Sequence, residues 1–262
     1  MAAAAAVEAP RRQFRWWPGR GGAGGSTGSG SGGGAGTGRS TGSGGKKGKS
    51  TPPPKDPLTT DPSKDPTNRA YFHPEILRKK QEEIIAMGWK KRPDPSTYLS
   101  KDFIQRHLEP FRHGIVRVTT KQNIKKHKSA GGDDAFALSF EGLVEVLVRT
   151  GGDHHKTEKV LALDKGALAS GDAVVAVVSA HNAPGVRVPS GNEQGANSDW
   201  MAGGYTKLGI PEAVVNLRKK PFTIVKLDVV MKWVESKKIS TPNFALSNKD
   251  VEDLKKWMMT SK

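Results

Sequence analysis

Apolar positions fall into readable periods from His73 onward. Ile76, Leu77, Ile84 and Met87 recur at helical spacing, with Lys79, Lys80, Glu82 and Glu83 on the opposite side. That pattern predicts an amphipathic helix over 73–87, with Pro74 in its first turn and Gly88 as its stop. Ser100 is placed to cap a short helix over 101–108. Ile115 to Thr119 alternates as a strand, and 121–128 (KQNIKKHK) reads as a basic loop or strand edge.

The middle of the chain reads as β-rich. Phe136, Leu138 and Phe140 alternate, and Leu143–Val148 is nearly continuously apolar. Val160–Leu163 and Val174–Val178, separated by Gly/Asp turns, read as paired strands. From 184 to 204 the chain is loop-like, with Trp200 its large apolar anchor. Helical spacing returns over Phe222–Glu235, where Ile224, Leu227, Val230, Met231 and Val234 share a face. Ser247 with Asp250 three residues on makes a capping-box start for a helix over 248–259. The expected architecture is α+β: a small β-rich sheet or open barrel over 67–262, flanked by N- and C-terminal helices.

No such period exists before residue 67. Gly19–Lys49 is almost entirely Gly, Ser, Thr and a few cations, and 51–66 is Pro-rich. Segments of this kind bury too little apolar surface to offset chain entropy, so 1–66 is expected to be a disordered arm. Hydrophobic residues are 35% of the 262-residue chain, below the globular norm of roughly 45%. The chain lacks cysteine, which excludes disulfides and thiolate metal sites. No apolar run approaches the roughly 20 residues of a membrane span, and no membrane partner is expected.

Charge changes the picture more than composition does. The formal net charge is +16. It divides unevenly: +6 over 1–66, +9 over 67–128 and +1 over 129–262. Local bias of this kind marks surfaces that meet polyanions. The candidate nucleic-acid contacts are Arg11, Arg12, Arg15 and Arg20 in the arm. In the body they are Arg78, Lys79, Lys80, Lys90, Lys91, Arg92, Lys121, Lys125, Lys126 and Lys128. Tyr71, Phe72, Trp89, Tyr98, Phe103 and Phe111 are interleaved with them. Cations supply salt-sensitive affinity for phosphates, and exposed rings stack on unpaired bases; Trp89 and Phe103 are expected in the core instead.

Catalytic chemistry finds little support. The Gly-x-Gly-x-x-Gly spacings after Gly19 arise from composition, without the preceding strand and following helix that a phosphate loop requires. No Gly-x-Ser-x-Gly elbow occurs. His154-His155 beside Asp153 and Glu158 lacks the further ligand that a tetrahedral metal site needs. The expectation is therefore no enzyme, no metal and no cofactor. A cryptic enzyme would have to draw on His107, His113, His154 or His181.

Three segments, GGYTKLGIP at 203–211, LDVVMKWVESKKI at 227–239 and LSNKDVEDL at 246–254, carry a resemblance. They are similar to a stretch of the universal large-subunit ribosomal protein family numbered fifteen. That family has a Gly-Gly-x-Thr-x-Leu segment, a Leu-Asp-x-x-x-x-Trp-Ile helix and a glycine-rich basic arm. Here the glycine-rich arm lies much further upstream and the family's C-terminal sheet is missing, so no site residue is carried over.

The expected function is RNA binding, RNA rather than DNA, by a structural component of a ribonucleoprotein such as an organellar ribosome. The near-neutral C-terminal half is expected to face protein neighbours. An Ala-rich start followed by Arg, with Glu8 the lone early acid, fits a mitochondrial or plastid presequence. The alternative is a viral coat or nucleocapsid protein with a basic arm, in the cytoplasm or a virion.

Overall fold

A computed structural model describes residues 61–169, 171–197, 199–239 and 246–260. The predicted arm, with Arg11, Arg12, Arg15 and Arg20, lies outside them up to residue 60. Its last residues belong to the body. Pro62–Lys64 forms a 3-10 turn capped by Asp61, and buried Asn68 donates to Pro62 O (3.1 Å) and Lys207 O (3.2 Å).

Helices α1 (Arg78–Ala86) and α2 (Lys101–Leu108) follow. The first is shorter than its apolar period predicts, because Pro74–Ile76 is a run of bends and Leu77, exposed, only begins the helix as its N-cap. Ser100 caps α2 as expected, its Oγ accepting from Phe103 N (3.1 Å). Then come β1 (Ile115–Thr120), α3 (Lys121–His127) and β2 (Ala135–Ala137). The basic segment 121–128 is therefore a helix, not a loop or strand edge. Thr120 Oγ1 accepts from Asn123 N (3.1 Å), and Lys128 ends the helix in the left-handed region at φ 53°.

The apolar run 143–148 is also helical, within α4 (Phe140–Thr150). A short apolar run fits a buried helix as well as a buried strand. Here the caps decide: Ser139 Oγ accepts from Gly142 N (3.0 Å), and Gly151 stops the helix at φ 61°. The strand expected at 160–163 is likewise replaced, by the end of α5 (His154–Val160) and a turn.

The central strand is β3 (Ala173–Val178), all six residues buried. The loop-like stretch after it carries the two-residue strands β4 (Trp200–Met201) and β5 (Tyr205–Thr206), which pair with each other. Last come β6 (Ala213–Val215), β7 (Thr223–Lys226), α6 (Leu227–Ser236) and α7 (Asn248–Thr260). The apolar stripe read as one helix over 222–235 thus begins as a strand. The capping box of α7 forms reciprocally, Ser247 N to Asp250 Oδ2 (3.2 Å) and Asp250 N to Ser247 Oγ (3.1 Å).

β3 pairs antiparallel with β1 on one side and β7 on the other. β2 pairs antiparallel with β6. One bridge, Val116 to Leu138 with both hydrogen bonds at 2.9 Å, ties β2 to the free edge of β1. Among the described residues the result is an open run of short antiparallel strands with no closed barrel. Burial on both faces explains why β3 lacks polar alternation. Val116, Val118, Val175, Val177 and Val225 face α4, α6 and α7 in the larger core. Ile115, Val174, Ala176 and Val178 face Phe111, Ile124 and Leu217 in a second. A third core holds Ile84, Leu99, Phe103, Trp200 and Tyr205 between the N-terminal helices and the β4–β5 pair.

Candidate nucleic-acid interface and an adjoining cavity

The predicted cations of the body separate into two groups. On α1, Arg78 pairs with Glu82 (3.0 Å) and stacks over Tyr71 (5.0 Å), and Lys80 approaches Glu83 (3.4 Å). Lys79 is exposed, but its helix carries its own countercharges. Lys90 and Lys91 are exposed, with Lys90 Nζ 4.4 Å from the Trp89 ring centre. Arg92 turns inward. Its guanidinium lies 4.7 Å from the Trp200 ring centre and donates to Gly191 O (2.5 Å). It holds the 191–192 loop and is not presented to a ligand.

The second group is denser. Lys121, Lys125, Lys126 and Lys128 lie exposed on α3 and its C-cap, around the single buried anchor Ile124. Two further lysines, missed by sequence reasoning, join them. Ser129, next to Lys128, donates from Oγ to Leu217 O (3.0 Å), and Leu217 N donates to Gly132 O (2.8 Å). These bonds bring Arg218, Lys219 and Lys220 to the end of α3, from 90 residues further along the chain. Arg218 pairs with Asp133. Lys121, Lys125, Lys126, Lys128, Lys219 and Lys220 make no ion pair among the described residues. Like charges also act on His127, whose pKa falls through burial and then through Lys126 and Arg117.

Phe103 and Phe111 are core, and Tyr98 is largely enclosed. Trp89 is not core: it is 51% exposed, with Nε1 donating to Glu193 O (3.3 Å). Phe72 is similarly exposed. These two rings, not the ones inside, are available for stacking.

A cavity of about 330 Å³ opens where β2 diverges from β1 beyond the Val116–Leu138 bridge. Residues 161–163, 194–197, 199 and 200 complete it. Arg117 and Glu212 both line it. Arg117 Nη1 donates to Ala130 O (2.9 Å), and burial lowers its pKa to about 10, so it stays charged at neutral pH. Glu212 is only half-buried by surface area, because the cavity touches it, but protein surrounds it on all other sides. That desolvation pushes its pKa up to about 8.

The four candidate histidines, His107, His113, His154 and His181, do not converge, although His107 shares the Phe103 and Tyr205 rings with His73. His107 Nε2 lies 2.9 Å from Glu212 O and His113 Nδ1 2.8 Å from Glu252. His154 Nε2 is 3.5 Å from Asp228, and His181 Nδ1 is 3.2 Å from Ser179 Oγ. Among the described residues no group of three His, Asp or Glu side chains is placed to hold a metal, and no helix is long and apolar enough to cross a membrane. Compared with known proteins, the chain matches no family model, no curated protein and no solved structure.

Proposed function

We propose that this chain binds RNA through the lysine surface of α3 and the 219–220 turn, as a structural component of a ribonucleoprotein. The observation that carries the reading is the concentration there of six lysines without acidic partners among the described residues. A protein needs no such cluster for its own stability, since like charges repel. Facing a phosphate backbone, the same cluster gains from counterion release. The half-exposed ring of Trp89, with Lys90 over its face, offers a stacking surface for an unpaired base. The Ala- and Arg-rich start supports delivery to a mitochondrion or plastid, where an organellar ribosome is the assembly in view.

Ultraviolet crosslinking of the full chain to structured RNA, followed by peptide mapping, tests the reading. Crosslinked peptides are expected from 121–128 and 217–220. Crosslinks confined to α6 and α7, which pack on the other face of the β1–β3–β7 sheet, would contradict it.

A further inference from the structure

The β2–β6 ladder gives the cavity its chemistry. Strand alternation sends Ala135, Ala137, Ala213 and Val215 into the second core. Phe136 and Val214, paired in register, take the other face, and the pattern carries on to Leu138 and Glu212. The Glu212 backbone is fixed, its N–H donating to Gly204 O (2.8 Å) and its C=O 2.9 Å from His107 Nε2. Its carboxyl makes no hydrogen bond or ion pair among the described residues.

Two other buried acids show how this chain satisfies a carboxylate that serves structure alone. Glu158 accepts from Gly166 N (2.9 Å) and Leu168 N (2.6 Å). Glu193 accepts from Ser190 N (2.9 Å), Gly191 N (2.7 Å) and Arg187 (2.6 Å). The cavity's other acids and its Asn197 amide are committed in the same way, whereas the Trp200 indole Nε1 is buried without a hydrogen-bond partner among the described residues. Asp133 pairs with Arg218 and Asp134 with Arg187. The Asn197 amide spans Ala162 O (2.7 Å) and Asp199 N (2.9 Å). Only the Glu212 carboxyl faces the cavity without a protein partner among these acids, and a carboxyl half-buried and desolvated in this way gains from a ligand that completes its hydrogen bonds.

The remaining surfaces suit a flat ring. Phe136 lines the cavity, and Gly195 packs against the Cδ2–Cε2 edge of its ring, where an added Cβ would stand 3.2 Å from Cδ2, so the glycine does not cover the ring face. Val118, Leu161, Leu163 and Trp200 extend the apolar wall. At one lip stands Arg218, followed directly by Lys219 and Lys220. At the other, Gln194 adjoins Glu193, whose carbonyl holds the exposed Trp89 indole. An exposed aromatic ring and a run of cations thus flank an apolar slot that holds the unpartnered Glu212 carboxyl.

We propose that this cavity is a nucleobase-binding site, in which the Glu212 carboxyl meets the hydrogen-bonding edge of the base and Phe136 meets its face. The inference builds on the RNA-binding reading for the source of the base, since a free nucleotide carries the same chemistry. A neutral carboxyl offers a donor beside an acceptor. Adenine and cytosine present the matching amino N–H beside a ring nitrogen. The Watson–Crick edge of guanine presents two adjacent donors and requires the carboxylate. Burial keeps Glu212 neutral to about pH 8, so adenine and cytosine are preferred at neutral pH and the preference narrows above it.

The test uses the full chain, titrated with AMP, CMP and GMP and with short oligo(A), oligo(C) and oligo(G), read by tryptophan fluorescence and calorimetry. Wild type is expected to bind the adenine and cytosine probes more tightly than the guanine probes at pH 6.5. Glu212→Leu should weaken those two by at least about tenfold. Glu212→Gln keeps a donor and an acceptor, so it should retain them while losing the dependence on pH. Mononucleotide binding identifies a free-nucleotide site; Glu212-dependence in the oligomers alone identifies a base presented by a strand. Equal affinity for all bases, or a ranking unchanged in both variants, overturns the proposal and leaves salt-sensitive RNA binding by α3 standing. Nucleotide binding with no salt-sensitive RNA binding would instead overturn the RNA reading and leave the pocket.

Discussion

Glu212 and His73 are both held neutral by burial, one an acid and one a base, and their effects on stability oppose each other. Burial, then the neighbouring His107, lowers the pKa of His73 to about 4. The unfolded chain therefore takes up a proton below about pH 6.5 that the folded chain refuses, and stability falls as pH drops from 6.5 towards 4. For Glu212 the folded pKa of about 8 exceeds the unfolded value of 4.5. Its contribution is fully present below pH 4.5 and is lost as pH rises from there to 8. Because its carboxyl touches the cavity, that loss is on the order of 3 kcal/mol. Denaturant unfolding of Glu212→Gln across pH 5 to 8.5 should show the variant gaining on wild type as pH rises; a constant difference would mean the carboxyl is not desolvated. The sequence gives little notice of either residue. Glu212 lies between Pro211 and a short apolar run, and its isolation depends on a strand register visible only after folding.

At the scale of elements, local chemistry was legible where caps were strong and misleading where only hydrophobicity was read. Ser100 and the Ser247–Asp250 box mark α2 and α7 correctly. The same kind of signal at Ser139 and Gly151 was outweighed by the Val-rich run of α4 and its apparent strand character. Thr120 starts α3 although the segment looks too polar to be a packed element; one buried residue, Ile124, suffices because β1 feeds directly into it. The loop 189–197 has no regular structure and depends on Glu193, 2% exposed, whose carboxylate gathers Ser190, Gly191 and Arg187. Burial opposes its ionisation, but the backbone N–H of Ser190 and the Arg187 guanidinium outweigh it and lower its pKa. Glu193→Ala strands those donors and should cost about 2–3 kcal/mol in thermal or denaturant unfolding. A loss below about 0.5 kcal/mol would show that the loop is held by other contacts.

Across the whole molecule, chain position is a poor guide to where charge ends up. The second half of the chain is nearly neutral by count, but it delivers Lys219 and Lys220 to the end of α3. The first half holds most of the excess, but α1 balances much of its own charge with Glu82 and Glu83, and Arg92 turns inward. The α+β class and the basic surface were therefore visible in the sequence, while the boundaries of that surface and the cavity beside it depend on long-range contacts. Substituting Lys125→Glu and Lys126→Glu together should weaken RNA binding at least about tenfold without lowering the unfolding midpoint, because both side chains are exposed and unpaired among the described residues. The same pair of changes in Lys79 and Lys80 should have a smaller effect on binding.

The most direct measurement is the affinity of the full chain for single-stranded RNA as a function of salt, beside a variant carrying Lys125→Gln, Lys126→Gln, Lys219→Gln and Lys220→Gln. Electrostatic binding through this surface predicts a linear fall of log affinity with log salt, and a slope in the variant that is shallower by about 0.7 for each phosphate contact removed. The absence of binding at low salt, or an identical slope in both proteins, would contradict the account.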